Sequence, residues 1–477
     1  MFVSFVLEGH LPYLRQHAPA PAGEEPLHRL IAGSLLPLLR TLADLHQSGL
    51  QPRLSLAFSP LLLDQLADPV VLKHFVLWID GWIERRSREL QHFSTSDAQH
   101  HAYLARFELE WLRETRRLFV ERWNRQPVMA LRELSAIGVL NPLASPATHA
   151  VLPLLGSSAA RRAQLEVGLL ETATHLGRPD GCWLPAAAWS EDLAELLADI
   201  DLRYVLLDPL SCPPGTLPAW LLPRRLAALP LTYDLLEQLW PPELGYRGDP
   251  LYRDTAAEDG YSARGNHGRA AYDPYHALRR AQEHAADFVE RLVHRAADRP
   301  HDHLILPLHT DLIGVDWFEG TTWLQSVLTL CATHPAIELC HPDRDLPQLR
   351  SDRRVTPSVS AAAVGGLGAW QQAVTPEYRS ALTRAEQQLT ALAAVPHDNP
   401  WFERLLNQAA RELLIAQSRS AVESPDSTAP LRRLQACVQL CDIAARAVTP
   451  DNADRELLTA LEAADAPFPQ LNYRVFH

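Results

Sequence analysis

Lysine is nearly missing from this chain. Lys73 is the one lysine among 44 basic residues, the rest being arginine. Arginine keeps its charge and offers no Schiff-base amine, so lysine-based covalent chemistry is not expected. Cysteine is sparse too: Cys182, Cys212, Cys331, Cys340, Cys437 and Cys441 form no Cys-x-x-Cys pair. Their spacing fits neither a zinc ribbon nor a dense disulfide framework, and buried free thiols in a reducing compartment are expected. No apolar run approaches the ~20 residues that span a bilayer, so no membrane partner is expected. Basic charge is in deficit, 44 against 57 acidic residues for a net −13. That argues against a nucleic-acid partner, which needs a concentrated basic face. The opening MFVSFVLEGHLPYLR has no basic n-region and no small-residue cleavage site. No secretory leader is expected, and the expected location is cytoplasmic.

What is present is a large apolar core. Of 477 residues, 47% are hydrophobic and 21% charged, the profile of a soluble globular protein of two or three domains. Short apolar runs at Phe2–Leu7, Arg53–Ser59, Gly181–Pro185, Arg203–Asp208 and His303–Leu308 suggest buried parallel strands. Amphipathic patterns at Leu27–Gln47, Ala159–Leu176 and Ser190–Ala198 alternate with them. This alternation predicts an α/β barrel or a doubly wound sheet.

Three stretches depart from the alternation. About 60–127 is long, helical and rich in tryptophan (Trp78, Trp82, Trp111, Trp123), which predicts a helical insertion. About 244–274 carries five glycines and no periodic apolar pattern, the mark of an irregular binding loop or a surface insertion. Beyond Pro376 strand signals cease and four helices are predicted. The expected division is a barrel over 1–354, a Ser/Ala/Gly-rich linker over 355–375 and a helical C-terminal domain over 376–477. No internal repeat is evident.

The first predicted strand ends in Glu8-Gly9-His10-Leu11-Pro12-Tyr13. Strand alternation places Glu8 and His10 on one side. In α/β barrels the C-terminal ends of strands line the active site, so this pair marks a candidate site.

The same residues open a series of motifs that resembles glycoside hydrolase family 57, and within it the α-1,4-glucan branching enzymes. His10-Leu11-Pro12-Tyr13 resembles the family's opening motif, and Ala147-Thr148-His149-Ala150 its second region. Gly181-Cys182-Trp183-Leu184-Pro185 is similar to the strand that presents its nucleophile. Trp240, Gly245-Tyr246-Arg247-Gly248-Asp249-Pro250 and Tyr272-Asp273-Pro274 resemble its inter-strand loop, and Trp317-Phe318-Glu319-Gly320 follows its acid/base strand. Asn407–Leu414 and Phe468–Arg474 resemble its C-terminal domain. Seven pieces in order imply an incomplete TIM-like (β/α)7 barrel with a helical insertion, plus an all-α C-terminal domain. They imply an α-glucan or oligosaccharide as ligand, or an enzyme of glucan metabolism as partner, and no cofactor.

The chemistry implied by the family does not carry over. Retaining glycosidases need two carboxylates about 5–5.5 Å apart. The resemblance places the nucleophile directly after Trp-Leu-Pro, where this chain has Ala186, and the acid/base where it has His309. Glu8 replaces the first His of an opening His-x-His. The family's aromatic Ser-Asp-Trp stretch is absent, the chain running instead through Arg419-Ser420-Ala421-Val422-Glu423. The leading expectation is therefore a catalytically inactive homologue that keeps a binding cleft. Its candidate binding residues are Glu8, His10, His149, Trp183, Trp189, Trp240, His309, Asp311 and Trp317, since indole faces stack on sugars and imidazoles bond hydroxyls. An active glucan enzyme using a relocated carboxylate, Asp311, is the first alternative. The second is metal-dependent hydrolase or deacetylase-like chemistry on Glu8, His10, His149, His309 and Asp311, although no metal is the leading expectation.

Overall fold

Nearly continuous apolar runs build a parallel sheet buried on both faces. A computed structural model describes residues 1–15, 22–221, 225–239, 241, 245–255, 262–264, 271–362, 365–423, 428–446 and 449–477. The strands are β1 (Phe2–Gly9), β2 (Leu54–Phe58), β3 (Leu140–Ala144), β4 (Gly181–Cys182), β5 (Tyr204–Leu207), β6 (Ala219–Leu221), β7 (Leu226–Pro230), β8 (His303–His309), β9 (Glu338–Leu339) and β10 (Arg354–Val355). Their order is β10-β6-β7-β5-β4-β3-β2-β1-β8, with β9 beside the start of β1. The run from β7 to β8 is parallel throughout, while β6 is antiparallel to β7. Every residue of β2 and β5 is buried, which is why these strands read as solid apolar runs rather than alternating ones.

The sheet curls until its two ends nearly meet. Thr232, just past β7, donates its N–H to the Ile305 carbonyl of β8 at 2.7 Å and accepts from Ile305 N on its hydroxyl at 3.2 Å. No ladder joins β7 to β8 among the described residues, so the barrel stays open there. This is the predicted mixed α/β class, a curled open sheet with a helical C-terminal region.

Prolines open the helices. Pro60, Pro69, Pro274, Pro376 and Pro400 are first residues of helices, preceded by the caps Ser59, Asp68, Asp273, Thr375 and Asn399. The missing N–H of proline loses nothing at that position and the cap oxygen serves the next donor. The predicted insertion comprises helices Pro60–Ala67, Pro69–Ser94 and Gln99–Arg117, followed by Pro127–Ala136.

Two differences from the sequence reading are local. The predicted strand Gly181–Pro185 pairs only over Gly181–Cys182, because a tight turn at Pro185–Ala187 takes the chain out of the sheet. The predicted linker holds a helix, Gly366–Ala373, and pairs back on the barrel: Trp189 and Ser360 form an antiparallel bridge, and Ala362 N donates to the Ala186 carbonyl at 2.7 Å.

The C-terminal helices Pro376–Ala393, Pro400–Ala416, Thr428–Arg446 and Asn452–Ala464 share a core with the barrel flank. Leu165, Cys182 and Val205 belong to one apolar cluster with Leu405, Leu413 and Phe468. Polar contacts cross this seam: Thr148 Oγ1 donates to the Leu414 carbonyl at 2.7 Å and Gln164 Nε2 to Gln417 Oε1 at 2.9 Å. All six cysteines are buried and unpaired. Among the described residues no helix is long and apolar enough to cross a membrane.

Candidate functional site

Seven parallel strands place seven C-terminal ends on one rim, and Glu8, His149, Ala186 and His309 lie there. Glu8 is the penultimate residue of β1, His309 the last of β8, and Ala186 lies in the turn after β4. His149 follows β3 in the left-handed backbone region at φ 58°, and Ala186 and Ala187 do the same at 54° and 45°. Such conformations strain a residue with a Cβ by about 1–2 kcal/mol each and persist where the surroundings fix them.

Glu8 is the hub. It is buried, and its Oε1 accepts from His149 Nε2 at 2.6 Å and from Arg419 Nη1 at 3.4 Å. Its Oε2 lies 3.3 Å from His309 Nδ1. Burial pushes the Glu8 carboxyl up, but the His149 hydrogen bond and the charges of His309, His149 and Arg419 together hold it at about 2. An ionised carboxylate only accepts, so the His149 Nε2 that faces it carries a proton, while His149 Nδ1 lies 3.4 Å from Ser145 Oγ. Burial holds the imidazoles of both His149 and His10 low. The two rings stack with centroids 4.8 Å apart. His10 is bonded at both nitrogens, Nδ1 to Ser59 Oγ at 2.9 Å and Nε2 to Ser420 Oγ at 3.0 Å.

Arg419 and Ser420 are the residues that sequence reasoning noted without assigning a role. They begin the short helix Arg419–Glu423, which reaches the rim from the C-terminal region. Arg419 also pairs with Glu423 at 2.8 Å and lies over the Trp370 ring at 5.4 Å. A charge-complementary pair separated by 411 positions leaves no local signal in the sequence. Asp208, at the exit of β5, is a further buried rim carboxylate; its Oδ1 accepts from Leu210 N at 2.9 Å.

Several predicted binding residues are placed otherwise. Trp189 and Trp317 are 1% exposed and Trp183 is 4% exposed, so their rings are core and offer no free face to a sugar. Trp317 packs against Tyr252 and Trp323 at centroid distances of 5.4 and 5.7 Å. Trp240 lies outside the described residues. The proposed metal set is divided rather than gathered. His10 is occupied by two serines, and Asp311 is exposed in a groove of about 500 Å³ with Leu11, Glu25, Arg29, Val315 and Asp316.

That groove runs toward aromatic residues whose placement the sequence did not reveal. It shares Glu25, Arg29 and Val315 with a cavity of about 250 Å³ lined by Trp78, Trp82, Trp111 and Phe318. These three tryptophans come from the helical insertion and remain partly exposed. Gly33 and Gly314 form part of the wall. A Cβ on Gly33 would meet the Gly314 carbonyl oxygen at 2.6 Å, so two backbones approach there as only glycine allows. The described part of the 244–274 loop is tethered beside the cavity: Arg253 pairs with Glu108, and Glu319 accepts from Tyr272 OH at 2.8 Å and Arg253 N at 3.1 Å.

Comparison with known proteins follows from this geometry. Residues 4–258 match the family described as Glycosyl hydrolase family 57, and residues 381–476 match 1,4-alpha-glucan branching enzyme, C-terminal. A probable 1,4-alpha-glucan branching enzyme of Mycobacterium tuberculosis is 30% identical, over 68% of this chain and 67% of its own length. The crystal structure of a GH57-type branching enzyme from Pyrococcus horikoshii superposes with a TM-score of 0.89 at 25% identity, covering 100% of this chain and 96% of its own. That of a GH57 branching enzyme from Thermococcus kodakaraensis, in complex with glucose and additives, gives 0.86 at 25% identity with the same coverage.

Proposed function

The chain belongs to glycosyl hydrolase family 57, and from that premise we propose that it is a catalytically inactive relative of the branching enzymes that binds an α-1,4-glucan. One observation carries the reading. The rim has Ala186 and His309 where the family resemblance calls for a carboxylate pair; of its buried carboxylates, Glu8 is engaged by His149, His309 and Arg419, and Asp208 holds the turn after β5 through Leu210 N. Alanine neither attacks an anomeric carbon nor holds a proton. A carboxyl held at about 2 is ionised at neutral pH and has no proton to give a leaving oxygen.

The structure also favours a location for the glucan. Trp183, Trp189 and Trp317 are core, whereas the groove from Leu11 and Asp311 to Trp78, Trp82 and Trp111 offers partly exposed indoles beside charged hydroxyl partners. We place the glucan there, within a proposed division of 1–354 as barrel, 355–375 as linker and 376–477 as helical domain. A partner enzyme of glucan metabolism is the other occupant this surface suits. Maltoheptaose titration tests the assignment. Millimolar affinity is expected, roughly −4 kcal/mol, and Trp111→Ala weakens it; no heat and no chemical-shift change at high maltoheptaose would remove the glucan reading and leave the partner.

One observation favours a second reading. Asp311, two residues beyond β8, is exposed in the groove and unencumbered by the Glu8 cluster. An active enzyme using it as a relocated carboxylate would lose all turnover in Asp311→Ala.

A further inference from the structure

The flank of the barrel, away from the rim residues, holds a second group of titratable side chains with an opposite character. Helices Pro60–Ala67 and Ser158–Leu176 pack against each other. Asp64 stands on the first; Glu171 and His175, four apart and therefore on one face, stand on the second. One ligand atom from each lies within 4.8 Å of the others. His175 Nε2 is 3.9 Å from Asp64 Oδ1 and 3.8 Å from Glu171 Oε2, too far for hydrogen bonds.

Glu171 is 2% exposed, and its Oε1, like His175 Nε2, is buried with no hydrogen-bond partner among the described residues. A buried carboxylate oxygen with no donor is costly, and native structures normally fill such a position with a proton donor, a water or an ion. Asp64 is oriented from outside, its Oδ2 accepting from Phe468 N at 3.2 Å. Access exists: His175 and Thr174 border a cavity of about 750 Å³ with Leu66, Leu77, Met129 and Arg132.

We propose that Asp64, Glu171 and His175 form a binding site for a divalent transition-metal ion such as Zn²⁺, with three protein ligands and solvent in the fourth position. Imidazole nitrogen and carboxylate oxygens are accepted zinc donors, at about 2.0–2.2 Å. Tetrahedral ligands at that radius stand about 3.4 Å apart, so the observed 3.8 and 3.9 Å contract by roughly half an ångström on binding. The ion bridges two barrel-flank helices and, through Asp64, the backbone of Phe468 in the C-terminal segment. Its role is structural: it fastens that segment to the barrel.

The test uses the full-length chain, stripped with a chelator and titrated with Zn²⁺ by calorimetry, in wild type, Glu171→Gln and His175→Ala. The expected result is one ion per chain in the wild type. Both variants should weaken it by about 100-fold or more, beyond the 10–100-fold that loss of an outer partner costs. Glu171→Gln is nearly isosteric and removes no hydrogen bond from Oε1, so it decides the matter if His175→Ala misfolds. Cobalt substitution should show visible bands without a thiolate charge-transfer band. Equal stoichiometric binding in wild type and Glu171→Gln, no stoichiometric binding in the wild type, or a thiolate band would overturn the site.

Discussion

Glu8 and Glu171 are both buried glutamates beside a histidine, and the fold treats them in opposite ways. Glu8 receives His149, His309 and Arg419, and its carboxyl is held at about 2. Glu171 has His175 at 3.8 Å, an Oε1 with no hydrogen-bond partner among the described residues and a carboxyl raised to about 7. The rim, where the family resemblance locates chemistry, is electrostatically complete within the chain itself; the flank, where nothing was anticipated, is incomplete. A polar cluster satisfied by its own protein has little left to offer a substrate, while an unsatisfied one points to a missing occupant.

The comparison is broken most severely by removing its hub. Glu8→Ala takes the acceptor from His149 Nε2 and from Arg419 Nη1, and should destabilise the protein by about 3–5 kcal/mol in urea denaturation. A loss below about 1 kcal/mol would show the rim network to be slack.

Acid titration asks the same question without truncation. Glu8 is lowered in the fold from an ordinary 4.5 to about 2. A lowered acid contributes stability above its unfolded value and loses it as pH falls through the folded value, so the contribution vanishes between about pH 4.5 and 2. Roughly 3 kcal/mol is at stake. Glu8→Gln should flatten that limb of the stability–pH curve, and an unchanged limb would place the acid sensitivity elsewhere.

A smaller effect is expected where the sheet ends meet. Thr232→Val removes the acceptor for Ile305 N and should cost about 1–2 kcal/mol, read by thermal melting. The smallest belongs to the flank: in metal-free protein near pH 4.5, where the Glu171 carboxyl, raised to about 7, is protonated in the fold, Glu171→Gln should change stability by under about 1 kcal/mol, because Oε1 has no hydrogen-bond partner among the described residues to lose. A large loss there would mean the oxygen is already satisfied.

Much of the fold is legible in the sequence, because buried parallel strands write long β-branched and leucine runs. All five predicted strands are present, although the one at Gly181 is shorter than expected. β3 and β7 escaped notice: Leu-Asn-Pro-Leu-Ala and Leu-Ala-Ala-Leu-Pro carry alanine and proline, which oppose strand propensity until neighbours impose it. The rim position of Glu8 followed from strand alternation. Its occupancy did not, because Arg419 and Ser420 arrive from the far end of the chain. Tryptophan type alone did not separate Trp317, which is core, from Trp111, which borders a cavity. That separation depends on packing. The flank cluster was not anticipated: Glu171 and His175 carry no motif, and Asp64 joins them only through tertiary contact.

The most direct measurement is product analysis of amylose incubated with purified full-length protein, following both new reducing ends and new branch points. With alanine where the family resemblance places the nucleophile and Glu8 held as an ionised, hydrogen-bonded anion, neither should appear above the no-protein control. Steady turnover that persists through further purification and disappears in Asp311→Ala would contradict the account, and would place a working carboxylate in the groove.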